Sequence, residues 1–218
     1  MKQLIIIIAA LLPVLTVSPQ TAQKAAPTAT QPKAKKYITA RQVLDKAAAV
    51  VGRKGGASAQ FTISGAKIGS SSGTVAIKGN KFKASTPDAV VWYNGTTQWT
   101  YMPQTEEVNI TTPDKEQQAA LNPYTFINIY KEGFRHTIRS QGNSYVVTLK
   151  ATDSNRNIRE MVITVTKGTY VPTQVKMLQG GDWTTIAISH FKAADQPDRL
   201  FTFNAKDYPD AEVIDLRD

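Results

Sequence analysis

The sequence predicts a mainly β protein: one large antiparallel sheet or barrel with two helices covering a face. Three observations carry this. From Ser58 onward, apolar residues recur at every second position in about ten or eleven short runs, at the ~8–12-residue spacing of antiparallel sheets. Turn signals such as Gly79-Asn80, Asn94-Gly95 and Gly180-Gly181 separate those runs. Two segments break the alternation with helical spacing, and their apolar stripes need a sheet to bury against.

The first helix is expected over residues 39–51. Thr39 and Gln42 form a capping box; Val43, Leu44, Ala47, Val50 and Val51 follow at helical spacing, and Gly52 ends the run. Strands are then expected at 60–64 (Phe61, Ile63), 74–78 (Val75, Ile77) and 81–85 (Phe82, Ala84). Gly69-Ser-Ser-Ser-Gly73 between the first two reads as a flexible hairpin loop; no helix follows it, so it is no phosphate cradle. Ala89–Tyr93 is apolar on both faces. Across the Asn94-Gly95 turn, Trp99 and Tyr101 share one face of strand 97–102, and Val108 and Ile110 share one face of 106–111. The second helix is expected over 123–131, with Asn122 as N-cap, Pro123 at the first helical position and Phe126, Ile127, Ile129 and Tyr130 as its apolar surface. Further strands are expected at 134–139, 144–151, 158–167, 170–178 and 182–191. A last one lies near Leu200–Asn204, before a tail from Pro209 to Asp218.

Ahead of this domain, Met1-Lys2-Gln3 and the apolar run Leu4–Leu12 read as a signal peptide ending near residue 18. The run is too short to span a bilayer comfortably. Residues 19–36 are Pro, Ala, Thr, Gln and Lys without an aromatic. They read as a flexible linker, and the folded domain should occupy 37–218. The net charge is +9, but the first 36 residues hold five Lys and no acid, leaving +4 for the domain. That argues against nucleic-acid binding.

The chain has 218 residues, no Cys and two His. Disulfides, thiolate metal sites and thiol nucleophiles are excluded, as is attachment through a lipidated cysteine. No catalytic motif is present, so neither an enzyme nor a cofactor or metal is expected. The surplus is apolar instead. Phe82, Trp99 and Tyr101 with the two helices either fill a core or line a cavity for a hydrophobic guest. Periodicity leaves both open.

Four pieces, in order, resemble the periplasmic outer-membrane lipoprotein carrier (LolA) family, in particular its Bacteroidetes-type branch. They are Gly95-Thr-Thr-Gln-Trp99-Thr-Tyr101-Met-Pro103 with Glu106-Glu107 after it; the helix start Asn122-Pro123; the strand pair 148–151 and 158–165; and the ending Phe201-Thr-Phe203 with Val213-Ile-Asp215. The resemblance implies an open, incomplete β-barrel of about eleven strands with helices as a lid over an apolar cavity. It implies a periplasmic, monomeric carrier that shields the acyl chains of lipoproteins between the inner and outer membranes. Its partners would be acylated lipoproteins, an inner-membrane lipoprotein-release transporter and an outer-membrane acceptor. A regulatory, lipid-sensing envelope protein on the same half-barrel is the alternative. The cavity is expected to be lined by Phe82, Trp92, Trp99, Tyr101, Val108 and Ile110, and the lid to present Val43, Leu44, Ala47, Phe126, Ile127 and Tyr130. The family's lid-holding Arg has no counterpart at Gly79-Asn80, leaving Lys78 or Lys81 as its substitute.

Overall fold

The computed structural model describes residues 37–113 and 129–217. Among these residues one α-helix, α1 (Ala40–Val51), leads into twelve strands. These are β1 (Ala57–Gly65), β2 (Gly69–Lys78), β3 (Lys81–Ser85), β4 (Val90–Tyr93), β5 (Gln98–Met102), β6 (Glu107–Thr111), β7 (Phe134–Gln141), β8 (Ser144–Ala151), β9 (Ile158–Thr166), β10 (Pro172–Gln179), β11 (Asp182–Lys192) and β12 (Glu212–Asp215). All belong to one sheet, ordered β12-β6-β5-β4-β3-β2-β1-β11-β10-β9-β8-β7. Among the described residues its two ends, β12 and β7, do not pair with each other, so the barrel stays open.

The order follows from tight turns. Every sequential pair from β1 to β6 and from β7 to β11 is an antiparallel neighbour, and β1–β11 pairing joins the two halves. β12 is the exception: it runs parallel to β6, Glu212 opposite Glu107.

α1 forms as the sequence expects. The Thr39 hydroxyl accepts from the Gln42 amide (3.2 Å), and the Gln42 side chain accepts from the Thr39 N–H (3.0 Å). Its buried stripe of Val43, Leu44 and Ala47 joins Leu149, Met161, Val165 and Met177 in the main core. A smaller cluster gathers Val51, Ile77, Phe82 and Tyr93.

Three expectations need correction. Residues 69–73 are no loop: they pair with β1 from Gly65↔Gly69 to Phe61↔Gly73. Polar Ser alternation hides a strand, and Gly73 is needed there because a Cβ would meet the Ser85 carbonyl and the Phe61 ring. Leu200–Asn204 is no strand. It runs from the end of one 3-10 turn, Asp198–Phe201, to the start of another, Ala205–Asp207, in a strap that crosses the sheet. The tail carries a strand, β12. Of the second expected helix, residues 123–128 lie outside the described residues, and Ile129–Lys131 is a 3-10 turn.

Candidate apolar cavity

Register decides what each side chain can reach, because residues opposite one another across an antiparallel ladder share a face. On the face beneath α1 the ladder runs Ala84↔Val75, Val75↔Ala59, Phe61↔Ile188, Ile63↔Ile186, Ile186↔Val175 and Val175↔Ile163. These residues, with Leu44, Ala47 and Val51 of α1, enclose an apolar cavity of about 460 Å³. Its polar lining is small: Ser58, Gln179 and Thr184. No charged side chain is among that lining; it can exclude water around hydrocarbon. Among the described residues, no group of three or more His, Asp or Glu could hold a metal ion.

Leu44 and Ala47 line the cavity, and Val43 lies beside them, fully buried. Phe82 is on the same face but packs with Val51, Ile77 and Tyr93 instead of lining the space. Trp92, Trp99, Tyr101, Val108 and Ile110 are expected in the cavity from the sequence and do not line it. Trp92 pairs with Lys83 and Trp99, Trp99 with Ile110, and Tyr101 with Val108. That ladder is one residue out of step with Phe82, Tyr93 and Ala84, so all five side chains turn to the opposite face. The physical reason is the strap. Phe203 and Tyr208 cover that outer face, Trp92 lying 5.6 and 5.5 Å from them centroid to centroid and Tyr101 4.6 Å from Tyr208. β4 thus carries apolar residues on both faces because both are covered. The residues that sequence reasoning missed, above all Ile163, Val175, Ile186 and Ile188, carry the right alternation but no aromatic to single them out.

Lys78 and Lys81 also look outward. Both reach Asp198 of the strap, at 3.2 and 3.0 Å, and Lys78 donates to the Gln196 carbonyl. They therefore hold the strap. Their two ammonium groups keep the Asp198 carboxyl below its ordinary value. A second cavity, about 540 Å³, lies under this strap, but Lys83, Arg199 and Asp207 among its lining make it a poor solvent for hydrocarbon.

Phe126 and Ile127 lie outside the described residues. Tyr130 is buried, and its hydroxyl donates to Asp45 of α1 (2.6 Å). Arg41 spans the same join: it reaches the Lys131 carbonyl at 3.4 Å and Asp45 at 3.6 Å, with its guanidinium over the Tyr130 ring. His136 Nε2 donates to the Tyr130 carbonyl (2.7 Å). The start of α1 is thereby tied to the turn before β7.

A family model described as outer membrane lipoprotein carrier protein LolA matches residues 31–181. The chain belongs to the LolA family. Among solved structures, an uncharacterized conserved protein from Thermus thermophilus is similar to this LolA-family chain with a TM-score of 0.56 at 12% identity. The match covers 81% of this chain and 98% of that one, and the likeness is one of fold. A LolA superfamily protein from Nitrosomonas europaea matches with a TM-score of 0.41 at 12% identity, over 77% of this chain and 99% of its own. MucB from Pseudomonas aeruginosa, in complex with MucA, matches with a TM-score of 0.43 at 9% identity, over 77% of this chain and 62% of that one. No curated protein matches the chain.

Proposed function

We propose that the chain is a periplasmic carrier that shields lipoprotein acyl chains in the cavity beneath α1 and moves them from the inner to the outer membrane. The observation that carries this is an apolar cavity of about 460 Å³, roofed by one helix, in a chain of the lipoprotein carrier family. Its volume lies within the ~300–1,000 Å³ of ordinary ligand sites. An acyl chain gains about 0.8 kcal/mol for each CH₂ removed from water, so an acylated protein crosses an aqueous gap only if something covers its chains. An inner-membrane release transporter would load such a carrier and an outer-membrane acceptor would empty it. The carrier works as a monomer, and no residue of the cavity needs to do chemistry.

Filling the cavity tests this. Ala59 lines the space near the start of β1. Ala59→Trp should weaken a fluorescent fatty-acyl probe by about tenfold or more, since displacing even two methylenes costs that much. The thermal midpoint should stay near that of the parent. Equal probe affinity in parent and variant would refute an acyl site here. Because Trp92 and Trp99 face away, the binding signal should come from the probe and not from their emission.

A further inference from the structure

Five large apolar side chains are exposed among the described residues: Tyr37, Ile68, Trp183, Val213 and Leu216. Two of them meet. Ile68 sits in the β1–β2 turn and Trp183 at the start of β11, and β1 pairs with both strands there, Gly65 opposite Gly69 and Thr184. A Cβ on Gly65 would lie 3.1 Å from the Trp183 carbonyl and 3.2 Å from Ile68 Cγ1, so the two tips form one rim.

The two side chains straddle that rim. Ile68 lines the cavity and is 55% exposed, so the cavity reaches the surface at this point. Thr184 also lines the cavity, so its neighbour Trp183 points to the outer side, where it is 37% exposed. Lys176 Nζ lies 5.1 Å from the Trp183 ring centroid. Lys67 pairs with Asp182 at 2.5 Å, cancelling the one acid of these two turns. Around Gly69, Gly180 and Gly181, a Cβ would meet nothing within 4 Å, so the tips stand clear of the body.

From this geometry we infer that the Ile68–Trp183 rim is a membrane-docking edge, which dips into a bilayer surface and sets the cavity mouth against the acyl chains. The inference rests on the carrier reading for what then enters the cavity. An indole with an ammonium beside it suits the boundary between head groups and hydrocarbon. Two side chains fall far short of the ~800 Å² per partner of a stable protein interface. A bilayer requires no such area; it accepts a small apolar tip, and neutralised turns lower the cost of bringing it there.

The test reads Trp183 itself, using the full chain and vesicles whose phospholipid acyl chains are brominated. The apolar run at residues 4–12 is common to every variant, so total vesicle binding is not the readout. Emission quenched in the parent, with that quenching absent from Trp183→Phe, is expected, Trp92 lying unquenched under the strap and Trp99 on β5, four strands away from β1. Trp183→Ser should slow passage of the acyl probe from vesicle to protein by about tenfold, the worth of one buried large side chain, with its affinity in solution unchanged. Trp183 emission indifferent to brominated lipid, with probe binding intact, overturns the docking edge and leaves the carrier reading standing. Quenching that appears only in vesicles carrying envelope proteins overturns it in favour of a protein partner. Quenching without any probe uptake keeps the docking edge and removes the carrier reading.

Discussion

Tyr93 shows how finely the inner face is divided. It is 2% exposed within the Val51–Ile77–Phe82 cluster, and its hydroxyl has no hydrogen-bond partner among the described residues. The Gln98 side-chain oxygen, on the residue opposite it across the ladder, is buried and unpaired as well. Burial raises the Tyr93 phenol above its usual value. A lone buried hydroxyl is a net cost, so Tyr93→Phe should raise stability by about 1 kcal/mol. Chemical denaturation of the two proteins decides it; a loss of stability would mean that the hydroxyl has a partner in solution. The same few residues explain what the sequence could and could not convey about the site. Alternation identifies the two faces of β3, β4 and β5 correctly, with Trp99 and Tyr101 together and Gln98 and Thr100 together. It cannot say which face looks inward, because that depends on a strap far along the chain. Aromatic residues draw the eye to the outer face, whereas aliphatic Ile186, Ile188 and Val175 line the cavity.

Among the elements, α1 was legible to within a residue, because a capping box is a local signal that no distant contact has to complete. The strands from β3 to β11 were legible for a similar reason: short turns fix the register of each neighbour. The strap was not. Phe201-Thr-Phe203 alternates like a strand, yet it only links two 3-10 turns, Asp198–Phe201 and Ala205–Asp207, in a strap held by aromatic packing and by Lys78 and Lys81 on Asp198. That ion cluster gives the strap a pH dependence of definite sign. A carboxyl held below its ordinary 3.8 contributes stability above that pH and loses it as the pH falls through the lower folded-state value. Asp198→Asn should therefore lower the denaturant midpoint at neutral pH. The difference from the parent should close as the pH drops below about 3.8. A difference unchanged down to the acid limit would show that the carboxylate charge is irrelevant there.

On the scale of the whole molecule, a guest in the cavity is a stabiliser, since it binds the folded barrel and not the unfolded chain. At a hundredfold excess over its dissociation constant, an acyl ligand should add on the order of 2.7 kcal/mol. For a domain of this size that is a rise of roughly 5–10 °C in the unfolding midpoint. Calorimetry with and without a fatty acid checks it, and Ala59→Trp should abolish the rise.

The parallel seam between β12 and β6 bears on how the chain folds. Glu212 meets Glu107 only after the chain has returned across the outer face. Closing so long a loop is entropically slow, whereas the hairpins from β1 to β5 zip locally. During that delay β6 presents a bare row of amides and carbonyls, a template that a strand from a second chain can occupy as well as its own. Refolding at high concentration should consequently trap exchanged dimers that trade residues 212–215, and dilution should suppress them.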